Sequence, residues 1–179
     1  MNEQASLLAA IHEEIRLCPY DEQWPVAYTQ ERRRLARLLP DAFIAIEHIG
    51  STAVPGLPAK PIIDILAGVV SMAAAEAVAA PLLAAGYATS AEFNESLVDR
   101  KWFMRWSGGR RTHHLHVVVH QSEAWHERIR FRDALRSQPV MAARYVELKE
   151  RLAAEHPTDR EAYTEAKAEF VRSVLRDAR

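Results

Sequence analysis

Asp64 is the one acid in the apolar run Pro61-Ile62-Ile63-Asp64-Ile65-Leu66-Ala67-Gly68-Val69-Val70. A carboxylate among residues that favour burial is costly unless it is paired, hydrogen-bonded or bound to a metal. That cost makes it the first candidate for chemistry. Upstream stands Gly50-Ser51-Thr52. Gly50 lets the backbone turn sharply and come close to a ligand, and Ser51 offers a hydroxyl and a backbone N–H where a phosphate can be held. Lys60 lies in the proline-rich loop between the two, and His48 shortly precedes the turn. Further on, Thr112 to Val119 has strand character. Alternation along a strand places His114, His116, Val118 and His120 on one face and Leu115, Val117 and Val119 on the other.

These residues define three candidate sites. The first is a metal site of Asp64, His114 and His116 beside a nucleotide held at Gly50 and Ser51. A mixed imidazole–carboxylate set suits Zn²⁺ or Mn²⁺ better than Mg²⁺, which prefers oxygen. The alternative is an Asp–His hydrogen-bonded network that orients the sheet. The second gives phosphate or carboxylate recognition to Lys60, Arg100, Lys101, Arg110 and Arg111. Arg111 leads, because its guanidinium fork matches phosphate and it opens the histidine strand; for the others a solvated surface is the simpler reading. The third makes His48 a general base or phosphate donor, against an equally weighted structural role.

Local patterning supplies the elements that must position these groups. Leu8, Ile11 and Ile15 are spaced for a peripheral helix within residues 1–18, ended before Pro19. Tyr20 to Pro25 turns into a helix anchored by Leu35, Leu38 and Leu39, with Arg32 to Arg34 on its solvated face. Strands then flank the Gly-Ser turn, and a helix over Met72–Ala85 stops at Gly86. Ala88–Ser96 reads as a loop with a short strand. Lys101–Trp106 and Thr112–Val119 form a hairpin around Gly108-Gly109. The last third is helical: Ser122 caps one helix, Met141, Tyr145, Leu148 and Leu152 stripe a second, and Thr158 or Asp159 caps a third. The expected architecture is α+β, a mixed sheet with helices packed on it and a helical C-terminal third, in one domain over residues 1–179.

Composition narrows the function classes. A net charge of −1 over 179 residues argues against nucleic acid or a membrane surface as partner. Cys18 is the single cysteine, so no internal disulfide or thiolate zinc site forms, which suits a reducing cytoplasm. The N-terminus lacks a signal-peptide pattern, and the alanine-rich stretch near Ala73–Ala85 is too short to span a bilayer.

The stretch His48-Ile49-Gly50-Ser51-Thr52-Ala53-Val54-Pro55-Gly56-Leu57-Pro58-Ala59-Lys60-Pro61-Ile62-Ile63-Asp64-Ile65 resembles the signature of the GrpB family. So do Tyr20-Asp21-x-x-Trp24-Pro25, Arg111-Thr112-His113-His114-Leu115-His116-Val117, Phe131-Arg132-Asp133-x-Leu135-Arg136 and Tyr163-x-x-Ala166-Lys167. The resemblance runs from Pro19 to Leu175, with Glu22 where the family more often has proline. It implies a nucleotidyltransferase-like fold, and related domains occur fused to dephospho-CoA kinases.

In nucleotidyltransferases the Gly-Ser holds the triphosphate and acids hold Mg²⁺, because in-line attack at phosphorus builds charge that must be neutralised. Those enzymes usually carry two acids one residue apart on the second strand. Here Asp64 has Ile62 and Leu66 as same-face neighbours, and the later strand offers His114 and His116 where a third acid is expected. The resemblance implies a nucleotide or another phosphorylated small molecule at Gly50, Ser51, Thr52, Lys60 and Arg111. If the chain is catalytic, Asp64, His116 and His48 would serve metal-assisted nucleotidyl transfer with Mg²⁺, Mn²⁺ or Zn²⁺. The competing expectation is a non-catalytic phosphate-ligand-binding or accessory module related to CoA. RNA binding through Trp102, Trp106 and nearby arginines ranks last, since tryptophans on hairpins usually pack in the core.

Overall fold

Apolar residues recurring at every second position along Ile63–Val69 and Arg110–Val119 build the centre of a five-stranded sheet. The computed structural model describes residues 15–177. Its elements run α1 (Gln23–Leu38), β1 (Ala45–Ile49), a 3-10 turn (Ser51–Ala53), β2 (Ile63–Val69), α2 (Met72–Ala77), α3 (Ala79–Ala84), β3 (Tyr87–Ala88), α4 (Ala91–Ser96), β4 (Arg100–Ser107), β5 (Arg110–Val119), α5 (Glu123–Ser137), α6 (Pro139–Glu155) and α7 (Arg160–Asp177). The strand order is β1-β2-β5-β4-β3; β2 and β5 are parallel and every other pair is antiparallel. The α+β architecture expected from the sequence is the one observed.

The sheet's two faces differ in character. Ile65, Ala67, Val69, Phe103, Leu115 and Val117 form the larger core with Leu35 of α1, Ala75 of α2 and Leu82 of α3. The opposite face is apolar only at one end, where Leu66 and Val118 meet Ala124 and Trp125 of α5. The rest of that face carries Asp64, His114 and His116 and lies open beneath α6 and α7. Helices α5, α6 and α7 pack through Leu135, Tyr145 and Phe170, over Val54 and Leu57 of the loop after β1. Among the described residues no helix is long and apolar enough to cross a membrane.

Several local expectations are corrected. The helix expected over Met72–Ala85 is two short ones broken at Val78. Pro81 explains the break, since it has no N–H to donate back to Ala77 and its ring crowds that turn. Ala88–Ser96 is strand β3 followed by helix α4, which starts because the Ser90 side chain accepts the Phe93 N–H. The peripheral N-terminal helix falls outside the described residues except at Ile15–Cys18, which are not helical. There the chain is tied by Ile15 N–H to Pro157 O (3.0 Å) and by reciprocal bonds between Cys18 and Ala59 (2.8 and 3.0 Å). The hairpin forms as expected, with Gly108 and Gly109 at φ of 57° and 74°, the paired positive values its tight turn requires.

Helix α5 reaches the sheet over Gly68, where an added Cβ would lie 2.9 Å from both His120 Cδ2 and Trp125 Cζ3. Gly68→Ala is therefore expected to destabilise the fold by about 1–3 kcal/mol through overpacking, read as a lowered urea midpoint with an unchanged slope.

Candidate functional site

The open part of the second sheet face floors a cleft of about 1100 Å³. Its geometry starts at Gly50, which leaves β1 at φ +70°, in the region L side chains rarely adopt. An added Cβ would sit 2.5 Å from Asp64 Oδ2, so the turn passes directly over the carboxylate of the neighbouring strand. Asp64 Oδ1 accepts from His114 Nδ1 at 3.0 Å; the two residues are register partners across the parallel β2–β5 ladder. Burial pulls the Asp64 carboxyl upward, but the hydrogen bond and charge of His114, with Lys60 nearby, outweigh it and hold the group below its ordinary value.

His116 shares the His114 face, as alternation required, and both line the cleft. Burial, helped by Arg128, pushes His116 down to about 3, so its imidazole is neutral at physiological pH. His116 Nδ1 and His114 Nε2 are buried and have no hydrogen-bond partner.

Arg111 reaches the same face by a different route. Plain alternation would put it with His113 and Leu115, on the other side of the sheet. A register shift between Arg105 and Trp106 sets Trp106 opposite Arg111 and leaves Thr112 as the extra residue. This bulge re-aims Arg111 into the cleft, where its guanidinium lies 5.9 Å from the Trp106 ring centre. Lys60 and Arg100 also line the cleft instead of the free surface, whereas Arg110 is exposed and Lys101 is engaged by Asn94 O and Glu76.

The C-terminal helices close the cleft with two lysines that the sequence reading did not assign to the site, although Lys167 stands in the Tyr163-x-x-Ala166-Lys167 motif. Lys149 of α6 is only 2% exposed, and its Nζ donates to Ser51 Oγ (3.2 Å) and to Pro58 O. Burial, then the charge of Lys167, brings it down to about 7. Lys167 of α7 is lowered by burial to about 8, partly offset by Asp64. Each lysine follows a tyrosine by four positions, on the same helix face. Lys149 lies 5.0 Å from the Tyr145 ring centre and Lys167 4.1 Å from that of Tyr163, which Lys60 also approaches at 5.0 Å. Two Tyr-x-x-x-Lys spacings, each putting a cation on an apolar stripe, were the available signal.

His48 and Thr52 serve the loop itself. His48 stacks on Tyr28 (4.7 Å between ring centres), and its Nε2 lies 3.0 Å from the buried Thr52 hydroxyl. It is absent from the cleft lining, and burial lowers it to about 4. This placement supports the structural role over a general base. Thr52 lines the cleft, but its hydroxyl is spent on His48 and Ile62 O. Arg132 fixes the end of β1 from α5, donating to Glu47 (2.8 Å) and to His48 O (3.1 Å).

As for a metal, the strands bring Asp64 and His114 into contact and His116 alongside. Among the described residues, however, no three His, Cys, Asp or Glu side chains converge to hold an ion. With a single carboxylate on β2, the set does not fit the two-acid Mg²⁺ centre of a nucleotidyltransferase, and the hydrogen-bonded Asp–His pair is what the fold builds.

Fold and cleft together define an α+β protein with a mixed sheet and a basic, sheet-floored pocket. The chain belongs to the GrpB family: the family model for "GrpB protein" matches residues 14–177. It is 34% identical over 180 residues to the UPF0157 protein YqkA of Bacillus subtilis, covering 98% of this chain and 52% of that protein. It is 35% identical to the glutamate-rich protein GrpB of Alkalihalophilus pseudofirmus, covering 92% of this chain and 95% of that one. The chain thus spans about half the length of YqkA but nearly all of the second relative. The crystal structure of GrpB from Enterococcus faecalis superposes with a TM-score of 0.81 at 30% identity, over 91% of this chain and 96% of that chain. A shorter match, 43% identical over 76 residues, joins 41% of the chain to 19% of a dephospho-CoA kinase of Mycolicibacterium paratuberculosis.

Two outcomes follow from this geometry. Gly50→Ala is expected to cost more than the roughly 1–3 kcal/mol of backbone strain at a positive φ with extended ψ, because the methyl also collides with Asp64. In an Asp64→Ala background the added cost falls, and a double-mutant cycle in urea measures the coupling. Lys149 and Lys167 hold fewer protons folded than unfolded between about pH 7 and their ordinary 10.5. Stability of the ligand-free protein therefore rises with pH across that window. Lys149→Met flattens the rise and is most stabilising below pH 7, as urea midpoints at pH 6.5 and 9 will register.

Proposed function

We propose that the protein binds a phosphorylated small molecule of nucleotide size in this cleft, with its phosphates at the Gly50–Ser51 turn. The observation that carries the reading is the convergence of Lys60, Lys149 and Lys167, from three separate parts of the chain, with Arg111 on one pocket. Buried lysines repel one another and lose hydration, a cost that an anionic ligand offsets by restoring both charge pairing and hydrogen bonds. Asp64 argues against a plain anion trap. It places one acceptor beside the phosphate end, suited to a ligand hydroxyl or amine, or to an ion that arrives already ligated by phosphate oxygens.

Whether the site turns its ligand over depends on Asp64 and His116. A His116 imidazole whose pKa burial holds well below its ordinary value is a weak base, and the missing second acid removes the usual metal clamp. These two observations favour the non-catalytic binding or accessory module over metal-assisted nucleotidyl transfer. The partial likeness to a dephospho-CoA kinase makes CoA precursors natural ligands to include.

Calorimetric titration of the full chain with ATP, CTP, dephospho-CoA and pyrophosphate, each with and without Mg²⁺, Mn²⁺ or Zn²⁺, tests the proposal. Binding is expected for at least one phosphorylated compound, weakened about tenfold or more in Lys149→Met or Lys60→Met. Absence of binding by all of them at millimolar concentration would overturn it. Metal-dependent binding lost in Asp64→Asn would move the choice back to nucleotidyl transfer.

A further inference from the structure

The ring-bearing end of the cleft is built separately from its lysine end. Trp102 lies on β4, in register with His116 on β5, while Gly50 and Asp64 lie at β1 and β2. Two strand spacings, about 10 Å, therefore separate Trp102 from the Asp64 strand. Trp102 and Phe93 both line the cleft and meet edge to face, 5.6 Å between ring centres. The Trp102 ring also tilts against His114 at 5.5 Å.

The backbone beneath Trp102 is held with unusual thoroughness for an edge. β3 pairs with β4 only at Arg105 and Met104. Beyond that point the side-chain amide of Asn94 replaces a strand: Oδ1 accepts the Trp102 N–H at 2.7 Å, and Nδ2 donates to Trp102 O at 3.0 Å and to Thr89 Oγ1 at 2.7 Å. A buried amide mimicking a backbone neighbour fixes one residue's position, and the residue fixed is the cleft-facing tryptophan. Phe93, the neighbour of Asn94 on α4, is 45% exposed at the same edge. A large aromatic left half open beside a pinned tryptophan is apolar surface that a ligand can cover.

We propose that Trp102 and Phe93 form a platform for a planar heteroaromatic ring, so that the cleft selects a ligand carrying a ring at one end and phosphate at the other. The inference rests on the reading that phosphate binds at the lysine end. It excludes sugar phosphates and inorganic polyphosphates as the preferred ligands, and it gives the length of the cleft a purpose: the ribose of a nucleotide or nucleotide cofactor spans the histidine strand between platform and lysines. Because the two rings are perpendicular, a planar ring stacked on one of them meets the other edge-on, and stacking of this kind tolerates any base.

The test compares AMP with ribose 5-phosphate, and ATP with tripolyphosphate, on wild type, Trp102→Phe, Trp102→Leu and Phe93→Ala. Phe93→Ala is included because a half-exposed residue can be truncated with little risk to folding. The expected result is that AMP and ATP bind about tenfold or more tighter than their ring-free counterparts. Trp102→Leu and Phe93→Ala should remove most of that advantage, Trp102→Phe should retain part of it, and tripolyphosphate affinity should stay level throughout. Ligand binding should also quench tryptophan fluorescence for ATP and not for tripolyphosphate. If wild type binds ring-bearing and ring-free ligands equally, or if the variants weaken both alike, the platform is refuted while phosphate binding stands. If tripolyphosphate and ribose 5-phosphate fail to bind but AMP binds in a Trp102-dependent way, the phosphate reading falls and the two-ended selection falls with it, leaving only a ring contact at Trp102. Failure of every ligand refutes both.

Discussion

No methyl group fits between the backbone at Gly50 and the carboxylate of Asp64, and this close approach governs the arrangement of everything around it. The turn can cross the acid only because residue 50 lacks a side chain and tolerates positive φ. The crossing delivers Ser51 to the position where Lys149 reaches it from a helix almost a hundred residues later in the chain. It also fixes where β1 must end, and the region is held from behind by Arg132 on Glu47 and His48 O, and by Thr52 on His48. The Asp64–His114 bond then ties the same point to the central parallel pair of strands.

Two opposed charge arrangements share the sheet. On the side of the main core, Glu31 is 3% exposed and accepts from Tyr87, Arg34 and Arg105, so a single buried acid is satisfied by several donors. On the cleft side the proportion is reversed, with lysines and arginines gathered around Asp64. The first arrangement is complete within the protein, as a buried charge must be if it is to stabilise a fold. The second gathers more positive than negative groups, and its lysines accommodate this by yielding protons easily. Lysines with depressed pKa values gathered in a cleft are what make this face the candidate site.

The sheet, the Gly-Ser turn and the Asp64–His114 face were legible in the sequence because each follows from a local rule: β-branched runs, glycine at a tight turn, and alternation along a strand. The same rule misplaces Arg111, whose entry into the cleft depends on one extra residue at Thr112. A bulge leaves no trace in hydropathy, since it is set by how β4 and β5 match their lengths around the Gly108-Gly109 turn. Lys149 was hidden by its neighbours: Met141, Tyr145, Leu148 and Leu152 read as core, and a lysine inside that stripe signals burial only when it is given the weight Asp64 received. His48 illustrates the converse, a residue adjacent to the turn in sequence but directed at Tyr28 in space. Helix α4 escaped notice because its start depends on the Ser90 cap and its docking on Asn94, neither of which produces periodicity.

The cleft draws its positive charge from well-separated parts of the chain, and this separation has a consequence during synthesis. Lys60 and the Gly-Ser turn leave the ribosome well before Lys149 and Lys167. The sheet can assemble from residues that precede α5, yet the cleft is not closed until α6 and α7 dock over it. A ligand held between sheet and helices acts as a clasp on that late step, drawing the docked arrangement forward by mass action. Without α7 the cleft would lose Lys167 and the Tyr163 ring while Asp64 kept His114 and Lys60, so the closed cleft depends on packing between segments far apart in sequence.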